Sequence, residues 1–128
     1  LDSLAVLDSS AILAVVFNEP GDVVVLPLLK GGLLSTVNAT EVQTRLVLRG
    51  IDADFAWRRV MAFGCEISFF DDLQARLAGE LAPQTRPYGL SLGDRACLAL
   101  AIQRKATVYT TDAAWKNLNL GIEIQVIR

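Results

Sequence analysis

The sequence predicts an α/β protein, a three-layer α/β/α sandwich around a mostly parallel central sheet. Three observations predict it. Short apolar runs alternate with stretches bounded by helix start and stop signals along the whole chain. Those runs hold few polar residues, as strands buried on both faces do. The length of 128 residues and the apolar content of 52% suit one domain, 1–128, with one sizeable core. Right-handed crossovers between parallel strands then put helices on both faces of the sheet.

The elements follow in order. LAVL (4–7) reads as a strand and 9–17 as a helix, stopped by the turn residues Asn18, Pro20 and Gly21. Residues 21–30 read as a helix ended by Gly31 and Gly32, and LLST (33–36) as the second strand. Helices are expected over 38–49, ended by Gly50, and over 52–63, ended by Gly64. CEISFF (65–70) is the third strand; 71–81 is a helix stopped before Pro83, and QTRPYG (84–89) a loop. Residues 91–105 form a helix, ATVYT (106–110) the fourth strand, 112–117 a short helix and IEIQVI (122–127) the last strand.

Composition narrows the chemistry. There is no histidine, which excludes Ser-His-Asp and Cys-His catalysis and imidazole-bound zinc. Cys65 and Cys97 have no CxxC spacing, so buried, reduced thiols and a cytoplasmic location are expected. A net charge of −2 argues against a broadly basic nucleic-acid surface. No apolar segment approaches the ~20 residues of a membrane span, and no secretory leader pattern is expected.

Ligands of parallel sheets bind beyond the carboxyl ends of the strands. Four carboxylates fall at those handovers. Asp8 follows the first strand in VLDSSAILAV (6–15), and Glu41 lies in STVNATEV (35–42). Asp94 lies in LSLGDRACLALA (90–101), and Asp112 in VYTTDAAW (108–115). Helix capping accounts for each alone: Asp8 and Asp112 as N-caps, Asn38 with Glu41 as a capping box, Ser91 with Asp94 as another. Together they converge on one edge. Carboxylates brought within ~5 Å of one another repel by ~3 kcal/mol per pair at an effective dielectric near 20. The only cation in the four motifs is Arg95, and its place on the helix turns it elsewhere. The cluster therefore calls for bound cations, and hard oxygen ligands without His or Cys select Mg²⁺ or Mn²⁺. Such pockets commonly serve phosphate chemistry.

These four motifs, in this order and spacing, resemble those of PIN-domain ribonucleases, and within them the VapC-type toxins of toxin–antitoxin pairs. The resemblance spans nearly the whole chain, from VLDSSAILAVVFNEPG (6–21) to VYTTDAAW, with Leu-Ser-Leu-Gly-Asp its most specific piece. It implies a PIN-like fold and Mg²⁺- or Mn²⁺-dependent endonucleolytic cleavage of RNA. It also implies a homodimer and a cognate antitoxin that blocks the site. Asp8, Glu41, Asp94 and Asp112 are then the catalytic, metal-holding acids, with Ser9, Asn38 and Thr110 in supporting positions. Arg45 and Arg49 form a row leading away from Glu41 on one helix, and Arg86 precedes the third acid. All three are expected to grip RNA phosphates, with a solvated face that includes a Glu41–Arg45 pair as the alternative for Arg45 and Arg49. The apolar surfaces of 21–30 and 51–64 are expected to meet the dimer partner and the antitoxin.

Two rivals follow from the same residues. One is a non-catalytic PIN-like module that binds RNA or protein. The other is a receiver-type domain using Asp71 and Asp72, which lacks the late lysine such a site requires.

Overall fold

The computed structural model describes residues 4–128. Five strands form one sheet in the order β3-β2-β1-β4-β5, and every neighbouring pair is parallel. The strands are β1 (Ala5–Leu7), β2 (Leu33–Ser35), β3 (Glu66–Ser68), β4 (Thr107–Thr110) and β5 (Ile124–Val126). The helices are α1 (Ser9–Val16), α2 (Asp22–Val25), α3 (Thr36–Leu48), α4 (Ala53–Ala62), α5 (Asp72–Glu80), α6 (Ala82–Thr85) and α7 (Leu92–Arg104).

Side-chain alternation along the short strands builds two cores. Leu7 and Leu34 point to one face, where they meet Ile12, Val42, Leu46 and Val60 from α1, α3 and α4. Val6, Leu33 and Val108 point to the other, against Cys97, Leu98 and Ala101 of α7 and the fully buried Trp115. This is the expected sandwich, with β1 and β2 buried on both faces.

The structure departs from the expected elements in four places. The helix expected over 21–30 is broken into α2 and a 3₁₀ turn, Leu26–Leu28. Pro27 lacks an N–H and cannot continue an α-helical ladder. The loop expected over 84–89 instead contains the end of α6 and a 3₁₀ turn, Arg86–Tyr88. Pro83 and Pro87 both sit at first-turn positions of these short elements, where a missing N–H is harmless. The third helix begins at Thr36, two residues before Asn38, because Ser35 caps it by accepting from Val37 N at 3.2 Å. The segment after Asp112 is a 3₁₀ turn, Ala113–Asn117, rather than an α-helix.

Both cysteines are free, Cys97 buried and Cys65 half-buried. Burial pushes the Cys65 thiol up to about 11 and raises that of Cys97 as well. No helix among the described residues is long and apolar enough to cross a membrane.

Candidate active site

The strand order reverses direction between β1 and β4, and in open parallel sheets that point leaves a crevice beyond the strand ends. Asp8 stands at the end of β1. Its backbone N–H donates to Tyr109 O at 3.0 Å, which ties it to β4. It is the backbone N-cap of α1, yet its side chain caps nothing. Asp8 Oδ2 instead accepts from Ser10 Oγ at 2.7 Å and from Thr110 Oγ1 at 2.9 Å, across the reversal point. Ser10 Oγ also accepts from Thr111 N, and Thr110 Oγ1 from Asp112 N, so β1 and β4 share one network. Asp8 is only 3% exposed, and its Oδ1 is buried without a hydrogen-bond partner. Burial pushes its pKa up to about 7; the Ser10 and Thr110 hydroxyls oppose the shift, while Asp94 and Glu41 add to it.

Glu41 lies in the second turn of α3, since the helix starts earlier than the sequence suggested. Asn38 is therefore no cap. It is fully buried, and its Nδ2 donates both to Glu41 Oε1 at 2.9 Å and to Gly93 O at 3.0 Å. This one amide ties α3 to the first turn of α7. A Cβ on Gly93 would strike the Glu41 carboxylate, so the glycine makes the room Glu41 occupies.

Asp94 and Ser91 form the expected capping box: Asp94 N donates to Ser91 Oγ, and Ser91 N to Asp94 Oδ2 at 2.9 Å. Burial raises the Asp94 pKa; the hydrogen bonds with Ser91 lower it, and Glu41 and Asp112 raise it. Asp112 is exposed and caps its 3₁₀ turn by accepting from Ala114 N at 3.0 Å. Asp94 and Glu41 thus lie close enough to act on Asp8, and Glu41 and Asp112 close enough to act on Asp94. Among the described residues, however, no three Asp, Glu or Cys side chains stand together as a ready metal cage. Glu41 is turned to Asn38, and Asp94 to the Ser91 backbone.

The donor set fits a hard divalent cation in chemistry. It is all oxygen, it includes a buried orphan oxygen on Asp8, and none of the described ion pairs involves its acids.

Of the supporting residues expected, Asn38 and Thr110 touch the acids directly. Ser9 makes no described side-chain hydrogen bond; its neighbour Ser10 holds Asp8 instead. Both serines follow the acid, and only the turn of α1 decides which faces back to it. The arginines separate. Arg45 is exposed, one turn beyond Glu41, and forms no ion pair with it. Arg49 lies 4.3 Å over the Phe17 ring, at the far ends of α3 and α1, away from the acids. Arg86 is exposed on the 3₁₀ turn before α7. Asp71 and Asp72 cap α5 and its first residues beyond the edge strand β3, away from the crevice.

A family model described as PIN domain matches residues 5–119. Comparison by sequence with curated proteins returns no match. Three solved structures are similar in fold. DNA-bound VapBC from Salmonella typhimurium has a TM-score of 0.76 at 17% identity, covering 97% of this chain and 98% of the other. VapBC2 from Rickettsia felis, bound to a promoter DNA fragment, has 0.73 at 17% identity, covering 95% and 97%. VapBC-5 from Mycobacterium tuberculosis, a member of the VapBC family of toxin–antitoxin systems, has 0.61 at 20% identity, covering 99% of both. At such identities the likeness is one of fold.

Proposed function

The chain belongs to the PIN domain family, and from that membership and its acidic crevice we propose that it is a metal-dependent endoribonuclease acting as the toxin of a toxin–antitoxin pair. One observation carries the reading. A carboxylate almost wholly removed from water, Asp8, keeps an unpartnered buried oxygen at the sheet's reversal point, within electrostatic reach of Asp94 and Glu41. An arrangement that costs this much electrostatically and has no basic partner suits a site completed by a cation.

Asp8, Glu41, Asp94 and Asp112 would hold Mg²⁺ or Mn²⁺. Such an ion, when bound, neutralises charge and polarises a phosphoryl oxygen of the scissile bond. The chain's own groups supply the rest. Ser10 and Thr110 keep Asp8 oriented through one oxygen and leave the other free. Asn38 holds Glu41 against the first turn of α7, where its carboxylate would take the proton of an attacking water. Asp94 would turn from the Ser91 backbone to complete the site. The exposed Val23, Val24 and Leu26 would meet a second copy of the chain. The groove of about 240 Å³ between Phe17, Leu46 and Phe55 would take an antitoxin segment.

The absence of a ready cage among the described acids favours one second reading, a PIN-like module that binds RNA or protein without cutting. Incubating purified, antitoxin-free protein with a panel of cellular RNAs in Mg²⁺, Mn²⁺ or EDTA separates the two. The nuclease reading expects discrete, metal-dependent cuts that Asp8→Asn abolishes. Intact RNA with folded, metal-loaded wild type sinks it.

A further inference from the structure

We propose that the cavity at the N-terminal end of α7, lined by Arg86 and Arg95, is a phosphate subsite that holds the RNA backbone beside the acidic crevice. The assignment rests on the nuclease reading above and names a part of the substrate contact that it leaves open.

The cavity has a volume of about 310 Å³ and is lined by Ala82, Thr85, Arg86, Gly89, Leu90 and Arg95. No carboxylate is among them. Neither arginine takes part in an ion pair among the described residues, whereas Arg76, Arg104 and Arg128 each pair with a glutamate. Two guanidinium groups in one concavity without a counter-charge repel each other unless an anion enters.

Arg95 is held in place. Its Nη1 donates to Ala78 O of α5 at 2.9 Å, which fixes the guanidinium plane and leaves its remaining N–H groups for a ligand. The sequence correctly turns Arg95 away from the acids, but the structure turns it into this cavity rather than to solvent. Arg86 stands opposite on an exposed 3₁₀ turn whose Gly89 cap, at φ +71°, swings the chain back into α7. The location follows from topology. α5 and α7 run antiparallel, since Gln74 meets Gln103 while Ala78 meets Arg95. Residues 81–90 therefore return to the α7 end that carries Asp94, and Asp94 and Arg95 are consecutive. A polyanion crossing the acids at this end of α7 meets two cations that take part in no described ion pair. Paired guanidiniums are suited to phosphate oxygens by their fork geometry.

The test is binding of a fluorescein-labelled oligouridylate to the full chain in EDTA, by anisotropy over a range of salt concentrations. Arg86→Ala tests an exposed side chain that makes no described hydrogen bond or ion pair, and Arg95→Gln keeps a donor for Ala78 O. Each phosphate contact on a single strand contributes a slope of about −0.7 in log K against log salt. The double variant is therefore expected to lose about 1.4 of slope, each single variant about half of that, and the control Arg76→Ala none. Equal slopes and affinities for wild type and the double variant overturn the proposal. Metal-dependent cleavage by wild type, measured in parallel, separates the two ideas. Cleavage with unchanged slopes removes the subsite alone. Reduced slopes without cleavage keep the subsite and remove the nuclease. Wild type that binds no RNA removes both.

Discussion

Asp8 carries an electrostatic penalty that should be visible in stability. Unfolded, its carboxyl ionises near 3.8; folded, near 7. Between those values the folded chain binds more protons than the unfolded one, so stability falls as pH rises through that window. Above it the full penalty is present, at most about 4 kcal/mol. In EDTA, Asp8→Asn is therefore expected to raise stability at pH 8 by about 1–4 kcal/mol and to flatten its dependence between pH 4 and 7, as urea unfolding would read. Equal pH profiles would contradict the burial argument. Gly93→Ala separates room from fold. Alanine is the better helix former by about 1 kcal/mol, yet its Cβ displaces the Glu41 carboxylate. Cleavage is expected to fall by about a hundredfold, as for a misplaced catalytic group, with a change in stability under 2 kcal/mol. At this scale the places of Asp8, Asp94 and Asp112 in the fold were legible because each ends a strand or opens a helix. Ser10 in place of Ser9, and Asn38 as a bridge rather than a cap, were not. Both depend on which way a side chain faces across elements far apart in sequence.

The elements were legible wherever a glycine, a cap or a long apolar face marked them. They were lost where proline divided a helix, at Pro27, or opened a new one, at Pro83 and Pro87. The start of α3 was missed for a different reason: Ser35 ends β2 and caps α3 at once, leaving no loop between them. Ser35→Ala should cost about 1 kcal/mol in urea unfolding by removing the cap on Val37 N, and should loosen the helix that presents Glu41. At the other end of α7, Lys105 closes the helix at φ 53°, a left-handed conformation that glycine adopts without strain. Lys105→Gly is expected to stabilise the protein by about 0.5–1 kcal/mol without touching cleavage, since it lies at the end of α7 opposite Asp94. A loss of stability would show that the lysine side chain contributes more than the backbone strain that glycine would relieve.

For the whole molecule, the sheet order is what brings four separate acids to one edge of the sheet. Asp8 follows β1 and Asp112 follows β4, the strands on either side of the reversal, while α3 and α7 bring Glu41 and Asp94 over the same edge. The parallel sandwich was legible from the alternation of elements and the apolar strands, but strand order is not written in any local pattern, so the sequence could predict convergence and not contact. A cation that binds only the folded chain must stabilise it. Isothermal titration of Mn²⁺ into metal-free wild type and Asp8→Asn tests the central claim most directly. The account predicts saturable binding to wild type that weakens as pH falls below about 7, where Asp8 takes up its proton, and no comparable binding to Asp8→Asn. Equal affinity in the two proteins, with both folded, would contradict it.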